Sequence, residues 1–241
     1  MQNSQRYYGT TIVRYAAVLL FNIARRRRRS YGSIAYITSG ICVKSLGSTT
    51  LAEAHAIVFV QETTRIPIPK VIVVFTYMDR TYIVIERLRA ENLSTAWCRL
   101  SPSSSGIILD QMRAIVHELR GVPTNRSNAV GNGPFSSITE FHRQLRNSLE
   151  RSYDAQFSSD LTRLIDFHEQ NWDPPLFTHG DLRASNILVQ GDRIVGIIDL
   201  ETAGWMPSYW EHRQEVSKFM DPDPCAVEME VIRRKYFGDI S

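Results

Sequence analysis

The stretch Leu176–Glu201, LFTHGDLRASNILVQGDRIVGIIDLE, constrains this chain more than any other. Its apolar runs LFTH, NILV and RIVGIIDL are separated by a tight polar loop, GDLRAS, and by the turn Gln190–Asp192. That pattern predicts three short strands, the last two joined as a hairpin. Asp181, Asn186 and Asp199 then stand at loop and strand ends that a hairpin can bring together. The plainer alternative is that Asp181 and Asn186 cap a turn and Asp199 merely ends a strand.

Upstream, Ser33–Leu46 reads as two short strands around a turn at Ser39 and Gly40, the second carrying Lys44. A helix is expected from Thr50 to about Thr64, with Thr50 and Glu53 in the spacing of a capping box. Ile66–Pro69, IPIP, forbids both helix and central strand. It leads into strands Val71–Phe75 and Tyr82–Leu88, turning near Asp79. The second of these is apolar on both faces as far as Glu86, which predicts a buried, central strand. Arg89–Ser105 is polar and serine-rich and reads as a linker. Beyond it Ile108, Met112, Ile115 and Leu119 recur at helical spacing before Gly121 and Pro123. A second helix carries Phe141, Leu145 and Leu149 behind a Ser137–Glu140 capping box, and a third carries Leu161, Leu164, Ile165 and His168.

Charge is unevenly placed. The 241-residue chain has a formal charge of +3, yet Arg25–Arg29 is an unbroken run of five arginines, and 28 − 5 − 25 leaves −2 for the rest. Ahead of the run, Ile12–Ala24 is apolar except for Arg14 and Asn22. At about 13 residues it is too short for a bilayer span of about 20. It also lacks the leading basic residues and cleavage site of a signal peptide. The expectation is an amphipathic helix that packs on the body and ends in a solvated basic turn. The arginine run offers weak contact with nucleic acid or anionic lipid, and the reading is against either as a main partner. Three widely spaced cysteines, Cys42, Cys98 and Cys225, fit a reduced, cytoplasmic setting.

The chemistry suggested by Leu176–Glu201 is phosphoryl transfer. Such a reaction needs a carboxylate to orient the acceptor hydroxyl, with an amide oxygen and a second carboxylate to hold magnesium against nucleotide phosphates. HGDLRASN has the order His, any residue, Asp, Leu, three residues, Asn, and Asp199 in IIDLE follows at the magnesium position. His179 is expected to support its loop through hydrogen bonds, since the attacking hydroxyl is better served by Asp181.

At these residues the chain resembles the aminoglycoside phosphotransferase and choline kinase-like family, most closely its fungal phosphotransferase branch. The resemblance is carried by Lys44, EAHAIVFVQETTRIPIPKV from Glu53, YIVIERL from Tyr82, PFSSITEFHRQL from Pro134 and FTHGDLRASNILVQGDRIVGIIDLETAGWMPSYWE from Phe177. It implies an α+β, two-lobed, protein-kinase-like fold with a small β-rich N-lobe, a mainly helical C-lobe and ATP in the cleft between them. The corresponding division is residues 1–29 as a leading helix and basic run, 30–88 as the N-lobe and 89–241 as the C-lobe. The resemblance further implies Asp181 as catalytic base, Asn186 and Asp199 as magnesium ligands, and Lys44, paired with Glu53, on the nucleotide phosphates. Main-chain groups near Glu86 and Leu88 would meet the adenine. Locally, Lys44 reads equally as a strand-end lysine and Glu53 as part of its capping box.

Gly180 stands where protein kinases have an arginine, and no APE triplet follows Asp199, so a small hydroxylated acceptor is expected in place of a protein. Trp205, Met206, Pro207, Tyr209, Trp210 and Glu211 could line its pocket through ring faces and a carboxylate, or the tryptophans could simply bury against helices. No GxGxxG precedes Lys44, where only Gly32 and Gly40 are available to approach phosphates. Leu200 replaces an aromatic residue common in relatives and is expected to point into packing. The function expected is ATP- and magnesium-dependent transfer of the γ-phosphoryl group to a small-molecule hydroxyl; the alternative is a catalytically silent, kinase-like nucleotide-binding or scaffold protein.

Overall fold

A computed structural model describes residues 9–27, 30–45, 49–123, 137–147, 159–210 and 224–237. The chain forms two compact units, one of residues 1–112 and 185–201, the other of residues 113–184 and 202–241.

The first unit is built on α1 (Thr11–Arg26), β1 (Ser30–Tyr31), β2 (Ile34–Tyr36), β3 (Ile41–Lys44), α2 (Leu51–Thr63), β4 (Val71–Tyr77) and β5 (Arg80–Glu86). Its strands make an antiparallel sheet in the order β1-β2-β3-β5-β4. β5 lies between two neighbours and buries Tyr82, Ile83, Val84 and Ile85 in succession, as its unbroken apolar run demands. The β4–β5 turn places Met78 and Asp79 at φ 47° and 56°, the double positive φ whose twist matches that of a hairpin. The amphipathic helix expected near the N-terminus is α1. It seats Ala17, Phe21 and Ala24 against Ala35, Val43, Val73, Phe75 and Tyr82, with Phe21 edge-on to Tyr82 at 5.6 Å.

The segment read as a linker is ordered. It contains β6 (Glu91–Asn92), α3 (Leu93–Ala96), a 3-10 turn at Trp97–Arg99 and the start of α4 (Pro102–Arg120). Its polar composition hid a helix start: the Ser101 hydroxyl accepts the Ser104 N–H at 3.1 Å, and Pro102 takes the first helical position, where a missing N–H costs nothing. β6 pairs with β8 (Ile187–Gln190), which pairs with β9 (Arg193–Ile197). Residues 89–112 and 185–201, which carry this three-stranded sheet, lie together within the first unit. Gln111 pins the β8–β9 hairpin, donating to the Asp192 carbonyl at 2.7 Å and accepting the Ile194 N–H at 3.0 Å. The Ile197 N–H donates to the Pro67 carbonyl at 2.7 Å, so the IPIP segment fixes the end of β9.

The second unit holds α5 (Ile138–Leu145), α6 (Ser159–Glu169), β7 (Leu176–Thr178), β10 (Gly204–Met206) and α7 (Pro224–Phe237). β7 and β10 pair antiparallel. Phe141, Leu164, Phe167, Met206, Tyr209 and Trp210 share one core with Met229 and Ile232 of α7. Ser137 caps α5 as its spacing predicts, accepting the Glu140 N–H at 3.1 Å; Leu149 lies outside the described residues. Among the described residues no helix is long and apolar enough to cross a membrane.

His142 is fully buried in that core. Its Nδ1 lies 3.0 Å from the His168 carbonyl, which only accepts, so Nδ1 carries the proton and Nε2, 2.8 Å away, accepts from the Tyr209 hydroxyl. Burial pushes the imidazole down to about 4; the His168 carbonyl opposes this and the Arg146 charge adds to it. In the loop after β7, Gly180 has φ +79°, and a Cβ there would lie 2.5 Å from the Thr202 carbonyl oxygen. Only glycine fits both the left-handed backbone and the contact.

Two outcomes follow. A histidine depressed from 6.5 to about 4 leaves the unfolded chain with the extra proton at acid pH, so its contribution is complete above pH 6.5 and is lost as pH falls toward 4. Urea denaturation should show a loss of about 3 kcal/mol across that window, flattened in His142→Gln. Gly180→Ala should destabilise by about 2–3 kcal/mol in the same assay, since the backbone at Thr202 must move to admit the methyl group.

Candidate active site

The site in the first unit is centred on one ammonium group. Lys44 ends β3 with only 7% of its surface exposed. Its Nζ lies 2.7 Å from Glu53 Oε1, 2.6 Å from Asp199 Oδ1 and 3.8 Å from Glu201 Oε2. Burial works against the charge, but Glu53 and Asp199 together outweigh it and hold the ammonium above its ordinary range. Burial also pushes the Glu53 carboxyl upward, against the pull of Lys44.

Both readings of Glu53 meet here. The Thr50 hydroxyl accepts the Glu53 N–H at 3.3 Å, which is one half of a capping box. The other half is not made by Glu53 Oε1, which binds Lys44 instead, while Oε2 is buried without a hydrogen-bond partner. The pairing with Lys44 is thus the side chain's main contact. Glu201 joined the cluster without having been singled out; its one sequence signal was its place two residues after Asp199.

The β8–β9 hairpin brings Asn186 and Asp199 to one end of the ladder. Ile187 pairs with Ile197, and the next rung is the Ile198 N–H donating to the Asn186 carbonyl at 2.9 Å. Asn186 closes a 3-10 turn and is 6% exposed. Asp199 follows at φ +69°, a conformation that costs a non-glycine residue roughly 1–2 kcal/mol and turns the chain sharply out of the strand. Leu200 is buried, as expected of a packing residue.

The donor set suits a hard divalent cation. One lysine among Glu53, Asp199 and Glu201 leaves surplus negative charge, Glu53 Oε2 is an orphaned anionic oxygen, and Asp199 and Asn186 offer only oxygen ligands. Among the described residues no three His, Cys, Asp or Glu side chains gather to hold an ion alone, so magnesium there would complete its shell with phosphate oxygens and water.

Asp181 belongs to the second unit, in the loop after β7. Its Oδ2 lies 2.6 Å from Arg183 Nη2, a partner that the sequence did not reveal. The Asp181 N–H donates to His179 Nδ1 at 3.3 Å, and the His179 carbonyl accepts the Thr202 hydroxyl at 3.2 Å. His179 is therefore a loop support, as expected, with its remaining proton on Nε2. Gly180 is a backbone necessity here, which accounts for the absence of the arginine found in protein kinases.

At the end of β5, the Glu86 N–H already donates to the Lys70 carbonyl at 2.9 Å, while its own carbonyl faces the Cys42 thiol at 3.9 Å. The Leu88 side chain covers Gly196, where a Cβ would lie 2.3 Å from Leu88 Cδ1. A cavity of about 1040 Å³ opens between Tyr36–Ser39, Arg87–Glu91 and Val189–Gln190. It takes in Leu88 but not Lys44, Glu53 or Asp199.

Of the suggested acceptor-pocket residues, Trp205, Met206, Tyr209 and Trp210 are buried core residues, with Trp205 edge-on to Phe177 and Trp210 edge-on to Phe141. The tryptophans thus follow the packing alternative, burying against core neighbours and not lining a pocket; Glu211 lies outside the described residues.

No curated protein sequence matches the chain. Solved structures do. A thermostable mutant of the aminoglycoside phosphotransferase APH(4)-Ia, in its apo form, superposes with a TM-score of 0.58 at 15% identity over 86% of this chain and 75% of its own. A variant of the same enzyme in ternary complex with AMP-PNP and hygromycin B gives 0.55 at 15% identity, over 90% and 81%. APH(3'')-Id from Streptomyces rimosus ATCC10970, with ADP and streptomycin, gives 0.51 at 15% identity over 93% and 92%. The likeness establishes a protein-kinase-like α+β fold. The model of the phosphotransferase enzyme family matches residues 47–211, well over half of the chain, and the chain accordingly belongs to that family.

Proposed function

We propose that the chain is a small-molecule kinase, moving the terminal phosphoryl group of ATP to a hydroxyl group with the help of magnesium. The observation that carries this reading is the buried Lys44 held between Glu53 and Asp199. Support comes also from family membership and from the nucleotides and antibiotics bound by the structural neighbours.

Each residue then has a chemical task. Lys44 neutralises nucleotide phosphate charge, and Glu53 fixes its direction. Asn186 and Asp199 would hold magnesium, which supplies further charge neutralisation when bound. Asp181 orients the acceptor hydroxyl and accepts its proton. Arg183 keeps the Asp181 carboxylate in place. Main-chain groups near Glu86 and Leu88 would meet the base; the Glu86 N–H is engaged by the Lys70 carbonyl and the Glu86 carbonyl accepts only the weak Cys42 thiol donor.

One observation favours a second reading, a silent nucleotide-binding protein. The turn between β1 and β2 is only Gly32 and Ser33, too short to wrap phosphates with main-chain amides.

Acceptor-dependent ADP release, screened over hydroxylated metabolites, decides between them. Asp181→Asn should lower turnover at least about a hundredfold, the scale of one positioned acid–base group. Equal background rates for both proteins would establish the silent reading.

A further inference from the structure

Helix α1 is apolar on two opposite sides. One side carries Ala17, Phe21 and Ala24 into the sheet. At helical spacing on the other side stand Ile12, Tyr15 and Leu19, which are 80%, 59% and 61% exposed. The β4–β5 tip lies beside this surface, since Tyr77 meets Tyr15 edge-on at 5.8 Å, and the next residue, Met78, is 78% exposed. Met78 also holds φ +47°, a position usually given to Asn or Gly. A large apolar side chain there gains nothing from the folded protein.

Charge identifies what covers this surface. The helix contains no acidic residue, and its last turn and cap bring exposed Arg25, Arg26 and Arg27 directly after the apolar row, with Arg28 and Arg29 continuing the run in sequence. The remainder of the chain sums to −2, so the positive field is local to this end of the helix. Apolar side chains flanked by arginines match the interface of an anionic bilayer, where rings and aliphatic groups enter the headgroup region and guanidinium groups meet phosphates. A protein partner of similar hydrophobicity would give the arginines no reason to cluster, and nucleic acid would leave Ile12, Leu19 and Met78 unused.

We propose that the outer face of α1, with the Met78 tip, is a docking surface for anionic lipid membranes, on which the protein lies without spanning.

The test uses the full chain, sedimented with vesicles of phosphatidylcholine alone or of an equimolar mixture with phosphatidylserine. Binding should be confined to the mixed vesicles and fade as salt is raised beyond the physiological range. The triple variant Arg25→Ala, Arg26→Ala, Arg27→Ala should lose about a hundredfold in partitioning. Leu19→Asp should lose binding while keeping the wild-type melting temperature and ADP release, because the side chain points away from the core. Wild-type binding by Leu19→Asp, or equal binding to both vesicles, would overturn the proposal. Absent binding to the mixed vesicles would overturn it as well, and a dimer in light scattering that Leu19→Asp dissolves, or retention on an RNA column that only the arginine variant loses, would then identify the other occupant.

Discussion

The first unit is organised around the burial of one positive charge. An ammonium removed from water costs several kcal/mol unless it is paired, and breaking such a pair from one side typically costs about 3–5 kcal/mol. Lys44 meets that requirement with carboxylates from two places far apart in sequence: Glu53 on α2 and Asp199 after β9. The contact therefore fixes the first turn of α2 against the sheet and the end of the β8–β9 hairpin against both. Three carboxylates around one lysine are more than it needs for neutrality. The excess leaves Glu53 Oε2 buried without a hydrogen-bond partner, so the cluster is poorly satisfied by the lysine alone.

Much of this was legible because the residues concerned obey local rules. The β8–β9 hairpin, the central β5, the helix α2 and the apolar side of α4 all follow from periodicity and turn chemistry. Asn186 and Asp199 come to the same end of the ladder because the hairpin pairs Ile187 with Ile197 and Ile198 with Asn186, a placement readable from residue order. What escaped was decided by partners distant in sequence. β6 is two residues long and exists only because β8 offers an edge. β10 exists only because β7 does. Pro102, read as part of a linker, opens a helix instead, since its ring is compatible with a first turn and Ser101 supplies the cap. For Trp205 and Trp210 the sequence left two alternatives open, pocket or packing. Aromatic residues near a polar loop suit a pocket and a core equally, and their neighbours show that packing took them.

The backbone around Asp199 and Asp181 is constrained more tightly than the side chains reveal. Asp199 sits at φ +69° without being glycine, and Gly180 sits at φ +79° where nothing else fits. Strain at Asp199 persists only where surrounding contacts determine it, and the unstrained left-handed turn at Gly180 is likewise fixed by its neighbours. For Asp199 those contacts are the Ile198–Asn186 rung before it and the lysine it binds. For Gly180 they are the Thr202 hydroxyl on the His179 carbonyl and the Asp181 N–H on the His179 ring. In each unit, then, a carboxylate is aimed by main-chain geometry, and the adjoining hydrophobic residue, Leu182 or Leu200, is buried to anchor the turn.

The absence of a glycine-rich loop has a structural counterpart at the other end of the same strands. The β2–β3 turn is tied to the segment after β5 by the Arg87 N–H on the Gly40 carbonyl at 2.9 Å, Arg87 Nη1 on the Thr38 carbonyl and Arg89 Nε on the Ser39 carbonyl. The Arg87 guanidinium also lies over the Tyr36 ring at 4.2 Å. Three successive carbonyls of the turn are thereby engaged, and the hairpin cannot lift without breaking several contacts at once. In a nucleotide site a mobile phosphate-covering loop closes by paying ordering entropy when the ligand arrives. Here the β2–β3 turn is already ordered by its arginine straps, so any contact made on the rim formed by Thr38–Gly40 and residues 87–89 would carry little further ordering cost.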